Sequence, residues 1–453
     1  MRTLLKPPIW LGLALPALAA LGTFVLARPE CVPIEPEQFR WFWARHYWQC
    51  AFDALSAVCG VGLLTHDLEQ HYTPAGRWTL WWLGQGGALL FVAAFAQALR
   101  RLSPPDGAVR PPAGWAAALA FAVVQAIAVG LFGLAAIYAC PTGTFAQSSY
   151  LAGAAFASLG VIPPVDDGGT AWMVAAAGLL GGLGWPVWVC VVPALARRWI
   201  DRHRLLALGA TYGAVLVFAA LLTATIEAPR ASPQPGAAHG ATDERDVVRA
   251  MSDTPVMERL SRSLIQCISA ATAGVSTEDV RGRHLRDGSK LVVALLILLG
   301  GLGGSAGGGV SLMLLAAAIR APARPPGATT APAALATAGR SCVALLVLLS
   351  LATAFGLLVI EALTASAFQP PPTFADAFLD AASAVGGAHV TSGVAGMVTD
   401  PNLTRGLGLG IDQYQYGMVW LMTAMLAGRV LPIIVLHRAA RHDRAGRTHA
   451  ASA

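Results

Sequence analysis

Eight apolar segments, at 8–27, 78–99, 113–139, 171–195, 204–227, 289–318, 341–366 and 413–436, are each long enough to cross a bilayer, whose hydrocarbon is about 30 Å thick. In lipid every backbone N–H and C=O must be satisfied within the protein, so such segments are expected to be helices. Charged residues make up 12% of the chain, against about 25% in soluble proteins, which excludes an ordinary soluble domain. The loops alternate in character. One set holds Arg100, Arg101 and Arg110, then Arg197, Arg198, Arg202 and Arg204, then Arg320, Arg324 and Arg340, with Arg438, Arg441, Arg444 and Arg447 in the tail. The other holds Glu30, Glu35, Glu37, Asp67 and Glu69, then Asp166 and Asp167. The positive-inside bias places both termini and the arginine-rich loops in the cytoplasm. The net charge of +6 is therefore a topology signal and implies no nucleic acid. Residues 1–28 have the cationic head and apolar run of a signal peptide, but the run is long enough to be a retained first membrane helix.

Each outer loop ends in a half-apolar stretch too short to span, at 41–58, 145–158, 256–271 and 373–386. Such stretches read as re-entrant helices, and non-helical backbone at membrane depth survives only inside protein or beside water. Their sequences repeat: "FDALSAVCGVGLLT" from Phe52, "YLAGAAFASLGVIP" from Tyr150, "LIQCISAATAGVST" from Leu264 and "AFLDAASAVGGAHVTSG" from Ala377. Each repeat reads helix, dipping helix, glycine turn, helix, and a small-residue cluster sits in each second helix, at Gly86-Gly87, Gly181-Gly182, Gly300-Gly301 and Gly428. Four glycine turns around one axis can offer backbone carbonyls in place of an ion's water shell, and the C-terminal dipoles of the dipping helices favour a cation.

On these motifs the chain resembles the TrkH/KtrB/HKT superfamily of potassium and sodium transporters, over about residues 8–440. "SAATAGVST" is similar to the third filter, giving Thr272, Ala273 and Gly274. "LLILLGGLGGSAGGGVS" resembles the glycine-rich break that follows it, and "MLAGRVLPIIVL" the fourth repeat's second helix, whose arginine falls on Arg429. "LLGGLGWPVWV" and "YTPAGRWTLWWLGQGGALL" resemble the second helices of the second and first repeats. The resemblance implies a first filter at Cys59, Gly60, Val61 and Gly62, without the usual threonines, and a second at Ser158, Leu159 and Gly160, without the common asparagines. Val310-Ser311 stands where many relatives carry a lysine. The fourth filter has two readings. Counting six residues from Ser383, as from Ser56 to Gly62, puts His389 after Ala388 at the glycine position; alternatively Thr391 to Val394, with Gly393, forms the turn. A histidine beside a cation path would repel the ion once protonated, by about 4 kcal/mol at 4 Å and a dielectric near 20.

Two further features point to a gate. Arg429 lies near mid-depth in an apolar helix, where a cation normally faces a cavity or a partner. Gly303, Gly304, Gly307, Gly308 and Gly309 form a run that cannot hold a stable helix, and read as an intramembrane loop obstructing the inner pore. His66, Asp67, Glu69 and His71 read as a solvated loop. Seven cysteines form no CxxC; Cys59, Cys190, Cys267 and Cys342 read as buried thiols, and Cys31, Cys50 and Cys140 leave room for one disulfide.

The expectation is an all-α polytopic membrane protein with eight spans and four pseudo-symmetric repeats, at 1–105, 106–203, 204–325 and 326–440, followed by a cytoplasmic tail at 441–453. Its job would be uptake of a monovalent cation, K⁺ before Na⁺, across the cell inner membrane, with no chemical bond changed and no cofactor in the chain. A non-conducting or altered-selectivity regulatory relative is the alternative, and an intramembrane enzyme lacks converging acids, bases or ligands. The inner loop at 319–340 is too short for a regulatory domain. The resemblance thus implies a separate cytosolic nucleotide-binding subunit and a homodimer in membrane lipid.

Overall fold

The computed structural model describes residues 7–32, 39–65, 68–102, 113–139, 144–160, 168–184, 187–188, 202–228, 254–273, 285–303, 305–320, 331–364, 372–388, 390–395 and 413–452. Among the described residues the regular elements are helical and no strand occurs. In chain order they are α1 (Pro7–Leu26), α2 (Phe39–Val58), α3 (Leu68–His71), α4 (Pro74–Leu102), α5 (Gly114–Ala139), α6 (Phe145–Phe156) and α7 (Gly168–Gly182). Then come α8 (Arg202–Ile226), α9 (Val256–Ile268) with a π turn at Ser269–Ala273, α10 (Asp287–Leu299), α11 (Leu312–Arg320), α12 (Ala331–Thr364), α13 (Phe374–Gly386) and α14 (Gln413–Ser452).

Six of these, α1, α4, α5, α8, α12 and α14, hold stretches long and apolar enough to cross a membrane. They match six of the eight expected segments. The segment expected at 171–195 is helical from Gly168 to Gly182, and most of the remainder lies outside the described residues. The segment expected at 289–318 is not one helix. It breaks between Leu299 and Leu312, where the glycine run leaves the backbone too free to stay helical. The tail set apart at 441–453 continues α14 to Ser452.

Apolar side chains face outward as well as inward, as a lipid-covered protein requires. Leu13, Leu131, Phe218, Leu348 and Phe355 are exposed on α1, α5, α8 and α12. The inward faces make a main core through α1, α2, α4, α6, α13 and α14. A second cluster joins α8, α9, α10 and α11 through Tyr212, Leu216, Ile265, Leu296 and Leu312. Helix α1 packs on α2, α4 and α14, so it is part of the bundle.

Two of the dipping helices, α6 and α13, begin with polar caps. Thr144 accepts from the N–H of Gln147 at 3.3 Å at the start of α6. Thr373 and Asp376 form a reciprocal capping box at the start of α13, with N–H to side-chain distances of 2.9 and 3.3 Å. Asp376 also accepts from Lys290 Nζ on α10 at 2.6 Å, a buried pair tying these two elements. Cys31, Cys50, Cys59, Cys267 and Cys342 are free and buried, so Cys31 and Cys50 form no disulfide; Cys140 and Cys190 lie outside the described residues.

Candidate ion filter and gate

Three of the four dipping helices end in the same way. The chain turns so that the amide of Val61 donates to Ser56 O at 2.9 Å, that of Leu159 to Ala154 O at 3.0 Å, and that of Ala388 to Ser383 O at 3.1 Å. The residue before each of these amides is left-handed: Gly60 at φ 63°, Ser158 at φ 54° and Gly387 at φ 72°. Glycine takes this conformation freely. Ser158 takes it with a side chain, at a cost of about 1–2 kcal/mol. Gly62 and Gly160, two residues on, are also left-handed, at φ 71° and 63°.

The second helices press on these turns without side chains between. A Cβ on Gly87 would lie under 3.0 Å from Val58 O, one on Gly181 equally close to Phe156 O, and one on Gly428 to Val385 O. The carbonyls belong to corresponding residues, two after Ser56, Ala154 and Ser383. The third repeat differs. Its dipping helix α9 passes into the π turn, where Thr272 Oγ1 donates to Ile268 O at 2.6 Å, and its glycine pair Gly300-Gly301 ends α10, with Gly300 at φ 69°.

The expected filter residues fall in these turns as far as they are described. Cys59, Val61, Ser158, Leu159, Thr272 and Ala388 are all buried. Gly62 and Gly160 meet backbone to backbone, since a Cβ on Gly62 would lie 2.6 Å from Gly160 Cα. Ser158 Oγ donates to Thr272 O, joining the second turn to the third. Gly274, His389 and Gly304 lie outside the described residues. Gly393, at φ 100°, lies in the segment leaving the fourth turn.

The non-helical stretch between α10 and α11 runs against the second, third and fourth turns. Its backbone is fixed by bonds from Leu302 N to Gly182 O at 2.8 Å, Val310 N to Leu298 O at 2.8 Å and Met313 N to Leu302 O at 2.9 Å. Gly303 O abuts Gly184, where no Cβ fits. A Cβ on Gly307 would lie 3.3 Å from Ser158 Oγ and 3.7 Å from Thr272 O. A Cβ on Gly308 would lie under 3.0 Å from Gly386 O, and Gly309 folds back on Leu298 O and Gly300 N.

Arg429, 3% exposed, completes the arrangement. Its Nε donates to Cys59 O in the first turn, and its Nη1 donates to Ala306 O in the loop at 2.7 Å. The guanidinium carbon lies 4.8 Å from the Phe91 ring centroid. Its Nη2 occupies the space beside Gly60 and Gly387, where a Cβ on either glycine would collide with it. A cation buried at membrane depth thus has carbonyl partners and an aromatic face rather than a carboxylate. The chemistry of the site is that of backbone oxygens grouped at helix C-termini, which suits a cation.

Sequence reasoning did not single out Asp53 and Asp380, which accept from the segments leaving the first and fourth turns. The signal was present as Asp-x-x-Ser in both repeats.

No family model and no curated protein sequence matches this chain. Among solved structures, the potassium transporter TrkH from Vibrio parahaemolyticus is similar in fold: the TM-score is 0.57 over 86% of this chain and 77% of that one, at 14% sequence identity. The chain is therefore a membrane protein with a TrkH-like fold, helical in its regular elements among the described residues.

Proposed function

We propose that this protein conducts a monovalent cation inward, K⁺ before Na⁺, through a filter of four backbone turns. The observation that carries the reading is the loop between α10 and α11. Gly307 and Gly308 lie against Ser158, Thr272 and Gly386, one residue from each of the second, third and fourth repeats, and Arg429 ties Ala306 of the loop to Cys59 of the first turn. A filter with a plug across its inner side is a closed conduction path. The glycine–carbonyl contact shared by the first, second and fourth repeats supports repeats around one axis; the bounds near 105, 203, 325 and 440, the eight spans and the cytoplasmic termini rest on the sequence pattern. The reading also takes in residence in the cell inner membrane, a homodimer and a separate cytosolic nucleotide-binding subunit, which the resemblance of the sequence motifs implies. The driving force would be the membrane potential, worth about 2.3 kcal/mol per charge per 100 mV. No bond-changing chemistry is assigned.

The test is flux of Rb⁺ and Na⁺ into vesicles holding the purified protein under an inside-negative potential, together with rescue of an uptake-deficient host at low K⁺. Potential-driven Rb⁺ entry absent from empty vesicles supports the reading; its absence with and without cytosolic extract opposes it.

A second reading, a non-conducting regulatory relative, is favoured by the backbone contact of Gly62 with Gly160. The fourth turn also bears on it. The bond from Ser392 N to Asp380 spans twelve residues, as does the bond from Thr65 N to Asp53. Equal spans support the register that sets His389 in the place of Gly62. On that register His389→Gly raises flux and removes its fall on outside acidification, whereas a non-conducting subunit shows no flux with either residue.

A further inference from the structure

Three residues before Ser56 and Ser383 the first and fourth repeats carry Asp53 and Asp380; the second carries Leu151 and the third Gln266 at that place. Both carboxylates are 0% exposed. A buried carboxylate is tolerated only when donors surround it, and here they do. Asp53 Oδ1 accepts from the N–H of Thr65 at 2.9 Å, and its Oδ2 accepts from the hydroxyls of Thr65 at 3.0 Å and Tyr72 at 2.6 Å. Asp380 Oδ1 accepts from the N–H of Ser392 at 2.5 Å and from its hydroxyl at 3.0 Å. Its Oδ2 accepts from the N–H of Ala395 at 2.7 Å and from the Thr391 hydroxyl at 2.9 Å. Thr65, Thr391, Ser392 and Ala395 all belong to the chain leaving a filter turn.

The two aspartates are alike in position and unlike in chemistry. A hydroxyl can turn and accept, but a backbone N–H can only donate. Asp53 faces one backbone donor, on one oxygen. Asp380 faces a backbone donor on each oxygen. We propose that Asp380 is the positioning residue of the fourth filter: both of its oxygens must accept, so a carboxylate sets the path of residues 390–395, while Asp53 holds the first filter by one obligatory bond. The inference rests on the cation-path reading and names the group that fixes one wall of that path. A purely electrostatic role, in which buried negative charge draws cations, would make the two aspartates equivalent. A role in helix stability alone would be shared by Asp376, one turn earlier on α13, whose carboxylate meets Lys290 and Thr373 instead.

The full-length variants Asp380→Asn, Asp53→Asn and Asp376→Asn separate these roles. In each, the ratio of Rb⁺ to Na⁺ flux is measured in vesicles, and amide hydrogen exchange is followed in peptides covering 60–66 and 390–395. Asparagine has one accepting oxygen. Asp380→Asn must therefore release a backbone donor, shifting the flux ratio about two- to tenfold, the range of one lost hydrogen bond, and accelerating exchange in 390–395. Asp53→Asn leaves both readings within about twofold, its hydroxyl partners having turned. Asp376→Asn lowers thermal stability and leaves the ratio unchanged. An unaltered ratio and unaltered exchange in Asp380→Asn overturn the proposal, and equal shifts in Asp53→Asn and Asp380→Asn replace it by the charge role. If Asp380→Asn does not fold, Ala395→Pro removes the same bond from its donor end and must move the ratio in vesicles; no change overturns the proposal. If the wild type carries neither ion, the transport reading fails and exchange alone decides: acceleration in 390–395 for Asp380→Asn without acceleration in 60–66 for Asp53→Asn upholds the assignment, and any other pattern overturns it.

Discussion

Arg429 joins the turn after α2 to the loop between α10 and α11, donating from Nε to Cys59 O and from Nη1 to Ala306 O, 2.7 Å away. Hydrogen bonds from a charged donor contribute about 1.5–3 kcal/mol each. Their loss in Arg429→Ala frees the loop and removes a buried positive charge from the path. Basal Rb⁺ flux in vesicles is expected to rise about tenfold or more on that scale. Arg429→Lys offers one compact ammonium in place of a planar fork, cannot serve both carbonyls in the same geometry, and gives an intermediate flux. Wild-type flux in Arg429→Ala, at normal expression, would assign the arginine to packing alone.

The glycines of the second helices make a graded prediction. Gly87, Gly181 and Gly428 have a carbonyl oxygen where a Cβ would go. Alanine at any of them forces a helix off a filter turn, at a cost of about 1–3 kcal/mol or more. Gly130 and Gly213 lie in membrane helices with nothing within 4 Å of the same position. Alanine there is neutral or stabilises by about 0.5–1 kcal/mol, through helix propensity. Thermal unfolding of the detergent-solubilised variants separates the two groups; equal melting temperatures would contradict the close packing.

Ser158 combines a left-handed backbone with a cross-repeat bond to Thr272 O. Ser158→Ala keeps the strain and loses the bond. Ser158→Gly loses the bond and relieves the strain. The glycine variant is therefore expected to be more stable than the alanine variant by about 1–2 kcal/mol, read as a higher melting temperature. The reverse order would mean that residue 158 is not left-handed.

Lys290 and Asp376 form a buried ion pair at 2.6 Å. Removing Lys290 takes from the buried Asp376 its cationic partner and leaves it only the Thr373 donors, at a cost of up to about 3–5 kcal/mol. Lys290→Met should lower the melting temperature more than the double variant Lys290→Met with Asp376→Asn, in which the amide oxygen can still accept from Thr373 N and no unpaired charge remains on residue 376. Additive losses in that cycle would show that the pair is not coupled.

The helices were largely legible in the sequence because length and hydropathy determine them. The dipping stretch expected at 145–158 is helical from Phe145 to Phe156, and that expected at 373–386 from Phe374 to Gly386. Helix α12 begins at Ala331, ten residues ahead of the expected 341, because its first turns are alanine-rich and barely hydrophobic although good helix formers. A lone arginine in an apolar helix marked Arg429, since burial of a charge demands a partner. The partner itself was hidden: Cys59 is 370 residues away and offers only a main-chain oxygen, which every residue possesses. The bond from Ser158 to Thr272 was hidden for the same reason. Asp53 and Asp380 were visible as a repeated pattern, but nothing in one chain says which of several repeated letters touches the filter.

The sharing of Cys59 O has a consequence for how such a path would respond to its own cargo. In a conducting filter that oxygen can coordinate an arriving ion or receive the guanidinium of Arg429, but not serve both well. Each ion that settles beside it loosens the latch on Ala306. External cation is then an activator as well as a substrate, and entry should climb more steeply than in proportion to its concentration until the latch is fully released.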